Sequence, residues 1–289
     1  MLTRFALAVL VVAAVLCGLG RTERTGAEPP KPDAKPPQAN EEIVRIEADL
    51  TRAISQGDTE GCGPVSLLNL LKLGPEPYQK AYTKLSQGDD ALALKRLAAK
   101  YCSPTGAGGK VRYGDQTGID DPNLTRLCAA VTNDFELTPI DTLYTTREAK
   151  ESNPDFAKRV NDALVASLSR GVPVLMSIDS YGVRDGKWNK LTGHYMLFTG
   201  VQRIGKSNPS SFLVEYVNPV GGEYRQAFVY AGRRKHDGAY AHFKEGDEWL
   251  KNDPYLCMSS PYTDLAQTKL EGAARHEFFL TIVFGQFRK

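Results

Sequence analysis

One of the five cysteines, Cys62, lies where a glycine-rich loop is followed by an apolar stretch. It lies between Gly61 and Gly63, and Pro64 follows, a residue favoured in the first turn of a helix. The unpaired backbone N–H groups and the positive end of a helix dipole favour thiolate over thiol at such a position. The flanking glycines let a substrate carbonyl approach the Cys62 N–H closely, with the side-chain amide of Gln56 as a second oxyanion donor. The pattern predicts a nucleophile.

A nucleophilic cysteine needs a base, and His194 is the best placed of the four histidines. It opens the apolar run His-Tyr-Met-Leu-Phe-Thr-Gly-Val, so its ring is expected on a rigid strand edge. The next apolar run, residues 213–217, ends at Asn218. Two adjacent antiparallel strands would bring Asn218 beside His194, where an amide orients the imidazole.

These motifs together resemble the papain-like cysteine peptidases, closest to the double-glycine leader peptidases that process bacteriocin precursors and their stand-alone relatives. The similarity covers roughly residues 50–230: a Gln, five residues, Cys-Gly-Pro opening a helix, then Gly-Val-Pro-Val, Gly-His-Tyr and a strand ending in Asn-Pro. The resemblance implies Cys62 as nucleophile, His194 as base, Asn218 as the residue that orients the ring and Gln56 as oxyanion donor. It implies a papain-like fold and no metal or organic cofactor.

The order of the apolar patterns predicts an α+β fold, because helical patterns fill the first half and strand patterns the second. The spacing of apolar residues from Ile43 to Ile54 predicts a first helix. Capping and proline signals predict further helices, and β-branched and aromatic runs predict a mainly antiparallel sheet. The predicted helices are 62–73, 89–101, 121–131 and 153–170, and the predicted strands are 172–179, 194–204, 211–217, 224–230 and 277–284.

The N-terminal 40 residues read as targeting and spacer segments. Residues 1–20 combine Arg4 with an apolar run and small residues, which is typical of a secretory signal or an uncleaved membrane anchor. Residues 21–40 are rich in proline and predict a linker. We expect one domain over 41–289, with about 231–275 as an insertion, in an exported protein that is periplasmic, extracellular or tethered through its N-terminus.

Composition and charge exclude several classes of protein. The chain has 289 residues with 42% hydrophobic and 24% charged residues, which is ordinary for a globular protein. It carries 36 basic and 34 acidic side chains, and the small excess disappears once residues 1–27 are set aside. A nucleic-acid partner is therefore not expected, since binding to phosphates requires a basic surface.

The remaining cysteines and histidines offer other chemistry. Cys102, Cys128 and Cys257 allow one disulfide and a spare thiol in an oxidising compartment, or a second bridge that would consume Cys62. Neither the stretch from His236 to His242 nor the pair His276-Glu277 has the ligand spacing of a structural zinc site.

Three functions fit the sequence. The first is hydrolysis of a peptide or protein amide through a thioester. The second is acyl transfer to an amine or thiol, as in a transpeptidase, a transglutaminase-like or a phytochelatin-synthase-like enzyme, which differs only in the acceptor pocket. The third is a catalytically silent module that binds peptides in the same groove.

Overall fold

A computed structural model gives the helices and strands that position the candidate residues. The signal and linker segments and most of the expected insertion at 231–275 lie outside the described residues. Side chains are not described at 142, 144, 179–184, 187–192, 257, 259 and 276–284. The described residues are 42–57, 59–114, 118–139, 141–144, 147–148, 150–184, 187–231, 256–259 and 276–285.

The helices lie in the first half of the chain, as the sequence predicts. Aspartate or serine side chains cap three of them, at Asp89, Asp120 and Ser152, and a proline stands in the first turn of two of those three. The helices are α1 (Cys62–Leu73), α2 (Glu76–Ser86), α3 (Asp90–Tyr101), α4 (Asp121–Asp134) and α5 (Asn153–Leu168).

Long strands dominate the second half. All the strand pairs of the main sheet are antiparallel, so the predicted α+β class is confirmed. The strands are β1 (Ile43–Arg45), β2 (Cys102–Ser103), β3 (Val111–Arg112), β4 (Asp141–Tyr144), β5 (Val174–Arg184), β6 (Lys187–Gln202), β7 (Ser211–Asn218), β8 (Glu223–Tyr230), β9 (Leu256–Ser259) and β10 (His276–Gly285).

The main sheet curls back on itself around β6. Its order is β1-β6-β5-β10-β9-β8-β7, with β4 beside β10, and β6 also pairs with β7. The pairing of β6 with β7 brings Leu197 opposite Val217. The strand that carries His194 therefore runs directly beside the strand that ends at Asn218.

The predicted first helix is wrong. Ile43–Arg45 forms β1, which pairs with residues 200–202 at the end of β6, and only a single 3-10 turn follows at Leu50–Arg52. The apolar spacing fits a helix, but three residues gain backbone hydrogen bonds on a free strand edge, which a sequence pattern does not reveal.

Helix α1 forms the centre of the core. Ten of its twelve residues are buried, as its apolar sequence predicts, and it contacts β5 and β6 as well as α2, α3 and α4. It ends at Gly74, the predicted stop. This burial fixes the position of Cys62, its first residue.

The stretch at 231–275, for which the sequence offers no family counterpart, contributes at least one element to the sheet. Leu256–Ser259 forms β9, which pairs with β8 on one side and with β10 on the other. Leu256 and Met258 are buried. These four residues belong to the core sheet.

Within the described part of the chain, no helix combines the length and the apolar character that a membrane crossing requires.

A charged pair fastens β1 to the sheet across β6. Arg45 and Glu215 both lie opposite Gly200 in the strand register, and Arg45 Nε and Nη2 donate to the Glu215 carboxylate at 2.6 and 2.7 Å. A Cβ at Gly200 would lie 2.4 Å from Glu215 Oε2, so only glycine leaves room. Burial raises the pKa of Glu215, but the bonds from Arg45, Tyr224 and Gln226 outweigh it and hold that pKa below its usual value.

We expect Arg45→Ala to lower the free energy of unfolding at pH 7 by about 2 kcal/mol, less than a fully buried pair costs because Arg45 is half exposed. The double variant R45A/E215Q should recover most of that loss. The pKa of Glu215 is depressed in the folded protein. The contribution of the Arg45–Glu215 pair to the free energy of unfolding is therefore present above the carboxylate pKa of the unfolded chain, and it is lost as the pH falls through the folded pKa. The difference between wild type and R45A in urea unfolding should therefore shrink below about pH 4.

Arg203→Ala is the matched control, because Arg203, just after β6, pairs with Glu42, just before β1, and both of these side chains are exposed. Its loss should stay below about 1 kcal/mol. Equal losses in R45A and R203A would contradict a special role for the Glu215 pair.

Candidate active site

Cys62 lies at the junction of α1 and β6. It is the first residue of α1, it is partly exposed, and its Sγ accepts hydrogen bonds from the backbone N–H groups of Gly63 and Tyr195. Tyr195 directly follows His194 in β6. The helix start and the histidine-bearing strand therefore meet at the sulfur atom.

His194 and Asn218 form a direct side-chain contact, and the sequence predicts that neighbourhood. His194 Nε2 lies 3.0 Å from Asn218 Oδ1, which also accepts from the backbone N–H of Val220 at 3.0 Å. An atom that accepts from a backbone N–H is the amide oxygen, so Nε2 carries the proton that it shares with Asn218. In the neutral ring Nδ1 is then the basic nitrogen.

The position of His194 within its strand differs from the expectation. Strand β6 begins at Lys187, well before His194, and His194 pairs with Ile178 of β5. The apolar run that starts at residue 194 therefore covers only part of a longer strand. The backbone that carries the ring is therefore held by its pairing with β5.

Gln56 belongs to the loop that leads to Cys62. Its side-chain Nε2 donates to the carbonyl oxygen of Thr59 at 2.8 Å, and its backbone N–H donates to Pro219, the residue after Asn218, at 2.8 Å. Among the described residues, Gln56 Oε1 is enclosed and has no hydrogen-bond partner. The side chain thus contacts its own loop, and one of the two Nε2 hydrogens is committed there.

Asn69 is a site-supporting residue that sequence analysis missed. It is completely buried in α1, and its amide forms two hydrogen bonds with Ile54: Ile54 N–H donates to Oδ1 at 2.6 Å, and Nδ2 donates to the Ile54 carbonyl at 3.0 Å. A lone asparagine within the leucine-rich run of α1 was the available signal, since a buried amide requires partners. It fixes the backbone just before the Cys62 loop.

Gly63 allows neighbouring side chains to pack closely against the start of α1. A Cβ there would lie 2.4 Å from Cγ2 of Ile119 and 3.3 Å from the ring of Tyr195. The Tyr195 hydroxyl in turn donates to the carboxylate of Asp121, at the start of α4. The sequence predicts space for a substrate beside this glycine, but the structure fills that space with side chains that align α1, α4 and β6.

Burial controls the charge of the candidate pair. It raises the pKa of the Cys62 thiol above its usual value, and the N–H groups of Tyr195 and Gly63 oppose this only in part. It lowers the pKa of His194 to about 4, against the hydrogen bond to Asn218 and the Glu60 carboxylate, which raise it. At neutral pH the pair is thus thiol and neutral imidazole. The position of Cys62 at a helix start predicts a resting thiolate from sequence. That prediction leaves out the desolvation of the sulfur, which raises the pKa of the thiol.

Among the cysteines whose side chains the structure describes, none forms a disulfide with Cys62. Cys62, Cys102 and Cys128 are free thiols, and burial raises the pKa of Cys102 to about 11. The side chain of Cys257 lies outside the described residues.

No group of three or more metal-ligating side chains occurs within the described stretches. His236, Asp237 and His242, and the side chains of the pair His276-Glu277, lie outside them.

The sequence matches no family model, and no curated protein is significantly similar to it.

We expect Asn218→Asp to raise the pKa of His194 from about 4 to between about 5 and 7, because a carboxylate at this distance favours the imidazolium form. Asn218→Ala should lower that pKa, since the Asn218 hydrogen bond raises it. Titration of the imidazole signals by NMR, assigned with His194→Gln, measures both. One pKa for His194 in all three proteins would contradict the contact.

Proposed function

We propose that the chain is an exported papain-like cysteine peptidase or amide hydrolase that acts through Cys62, His194 and Asn218. The observation that supports this best is the contact of His194 Nε2 with Asn218 Oδ1 at 3.0 Å, beside a helix-start cysteine whose sulfur accepts from the next backbone N–H of the same strand. An amide that holds one ring nitrogen leaves the other as the base.

The architecture supports the same proposal. A buried helix that begins with the nucleophile packs against a sheet whose neighbouring strands carry the base and the amide. This arrangement resembles the papain-like fold that the motifs imply. The apolar segment at residues 1–20 supports export as part of the proposal.

The proposed reaction starts from neutral groups. As Cys62 Sγ attacks the amide carbon, His194 Nδ1 accepts the thiol proton, and the carbonyl oxygen becomes an oxyanion. The Cys62 N–H and the second Nε2 hydrogen of Gln56 are the proposed donors to that oxyanion. The imidazolium then gives its proton to the leaving amine, which departs and leaves a thioester on Cys62.

Hydrolysis of the thioester reuses the same base. His194 Nδ1 removes a proton from water as the oxygen attacks the acyl carbon, and the thiolate that leaves recovers that proton. The carboxylic acid is released, and the enzyme returns to a neutral thiol and a neutral imidazole. No metal or organic cofactor takes part in these steps, and the proposed substrate is a peptide or protein amide.

The test is acylation of the folded full-length chain by p-nitrophenyl acetate at neutral pH, a probe that needs no knowledge of the natural substrate. We expect a burst of p-nitrophenol and an acetyl group on Cys62, located by mass spectrometry of peptides. His194→Ala should slow that acylation by about 100-fold or more, because it removes the general base. Cys62→Ser should abolish the burst.

Cys102 and Cys128 provide an internal baseline for thiol reactivity, because both are buried free thiols outside the proposed catalytic group. Acetylation of Cys62 no faster than that of the unfolded chain, or a disulfide at Cys62, would overturn the proposal and favour a silent peptide-binding module. Transfer of the acetyl group to added glycinamide faster than to water would instead identify an acyltransferase.

A further inference from the structure

The turn that follows Asn218 rests on the backbone that precedes the Cys62 loop. Residues 219–222 connect β7 to β8, and the Pro219 carbonyl accepts from the Gln56 N–H at 2.8 Å. At the other end of the turn, Gly222 packs so closely that a Cβ there would lie 3.1 Å from the Ala53 carbonyl oxygen. It would also lie 3.4 Å from backbone atoms of Ile54 and Ser55. We call this contact between residues 53–56 and 219–222 the turn clamp.

One side of the turn clamp is anchored in the core. The two hydrogen bonds between Asn69 and Ile54, at 2.6 and 3.0 Å, hold the middle of segment 53–56 against α1. Asn69 is fully buried, and α1 also begins with Cys62. The support under the turn is therefore part of the same rigid helix as the nucleophile.

The other side of the turn clamp leads to the candidate base. Val220, in the middle of the turn, donates its backbone N–H to Asn218 Oδ1 at 3.0 Å. The same oxygen contacts His194 Nε2 at 3.0 Å. A shift of the turn would therefore move the acceptor that orients the ring.

We infer that the turn clamp is a positioning device. Asn69 and Gly222 fix the position of the Asn218 side chain with respect to His194 and Cys62. The catalytic relevance of the device rests on the proposed function. Neither residue touches a reacting atom. Each acts by holding backbone in register across α1 and the β7–β8 turn.

Two adjacent glycines allow a matched test. Gly221 and Gly222 both have positive φ, at +79° and +68°, so alanine strains the backbone at either position. The three atoms nearest to a Cβ at Gly221 would all belong to the Glu223 side chain, at 3.3 Å or more. A Cβ at Gly222 would press on the backbone of segment 53–56. The two variants share the conformational strain and differ in the contact.

The experiment compares Gly222→Ala with Gly221→Ala in the full-length chain. We expect both to lose stability in urea, and G222A to lose more because its Cβ also presses on the backbone of segment 53–56. Acylation of Cys62 by p-nitrophenyl acetate should slow about tenfold or more in G222A and by a smaller factor in G221A, because small misplacements of catalytic groups cost rate steeply. NMR titration should place the pKa of His194 lower in G222A, since the bond from Asn218 that raises it is weakened.

Equal acylation rates and an equal His194 pKa in the two variants would overturn the inference. If the wild-type protein itself does not acylate at Cys62, the proposed function fails, but a His194 pKa that differs only in G222A would still establish the turn clamp. Should either alanine variant not fold, asparagine at the same position tolerates the left-handed backbone and still supplies the Cβ.

Discussion

The structure depends on one buried amide. Asn69 lies among leucines with no exposure to water, so both ends of its side chain must find partners inside the protein. Ile54 supplies both through its backbone, which forces a non-helical segment to lie along α1. The loop that carries Gln56 starts from that segment and returns to α1 at Cys62. The geometry of the candidate site thus follows from the need to satisfy one polar group in an apolar core.

Burial holds the side chains of the candidate site in place and also keeps them uncharged. The contacts that hold Cys62 and His194 in place also remove much of the surrounding water, and the loss of water opposes both the thiolate and the imidazolium. A resting thiolate reacts with any small electrophile or oxidant. A neutral pair becomes nucleophilic only when proton transfer accompanies attack, which requires an acyl group aligned with both residues.

Local sequence patterns predict most of the helices and strands. Helix α1, its stop at Gly74 and the long strands follow from apolar runs and turn residues, and the proximity of His194 to Asn218 follows from consecutive antiparallel strands. Pairings between segments that are distant in the sequence cannot be predicted from such patterns. Ile43–Arg45 has a helical apolar spacing, yet it pairs with the distant end of β6. The neutral state of Cys62 depends on packing by segments far away in sequence, which no local motif contains.

The place of β10 in the sheet has a consequence for the order in which the protein assembles. It lies between β5 and β9 and also borders β4, although it follows all three in the chain. During synthesis, β5 therefore waits with one edge unpaired until residues 276–285 emerge, and such edges recruit strands from other chains. The neighbouring β6, which carries His194, pairs with β5 from Lys187 to Phe198. The sheet around the strand that carries His194 is therefore complete only when nearly all of these residues have left the ribosome.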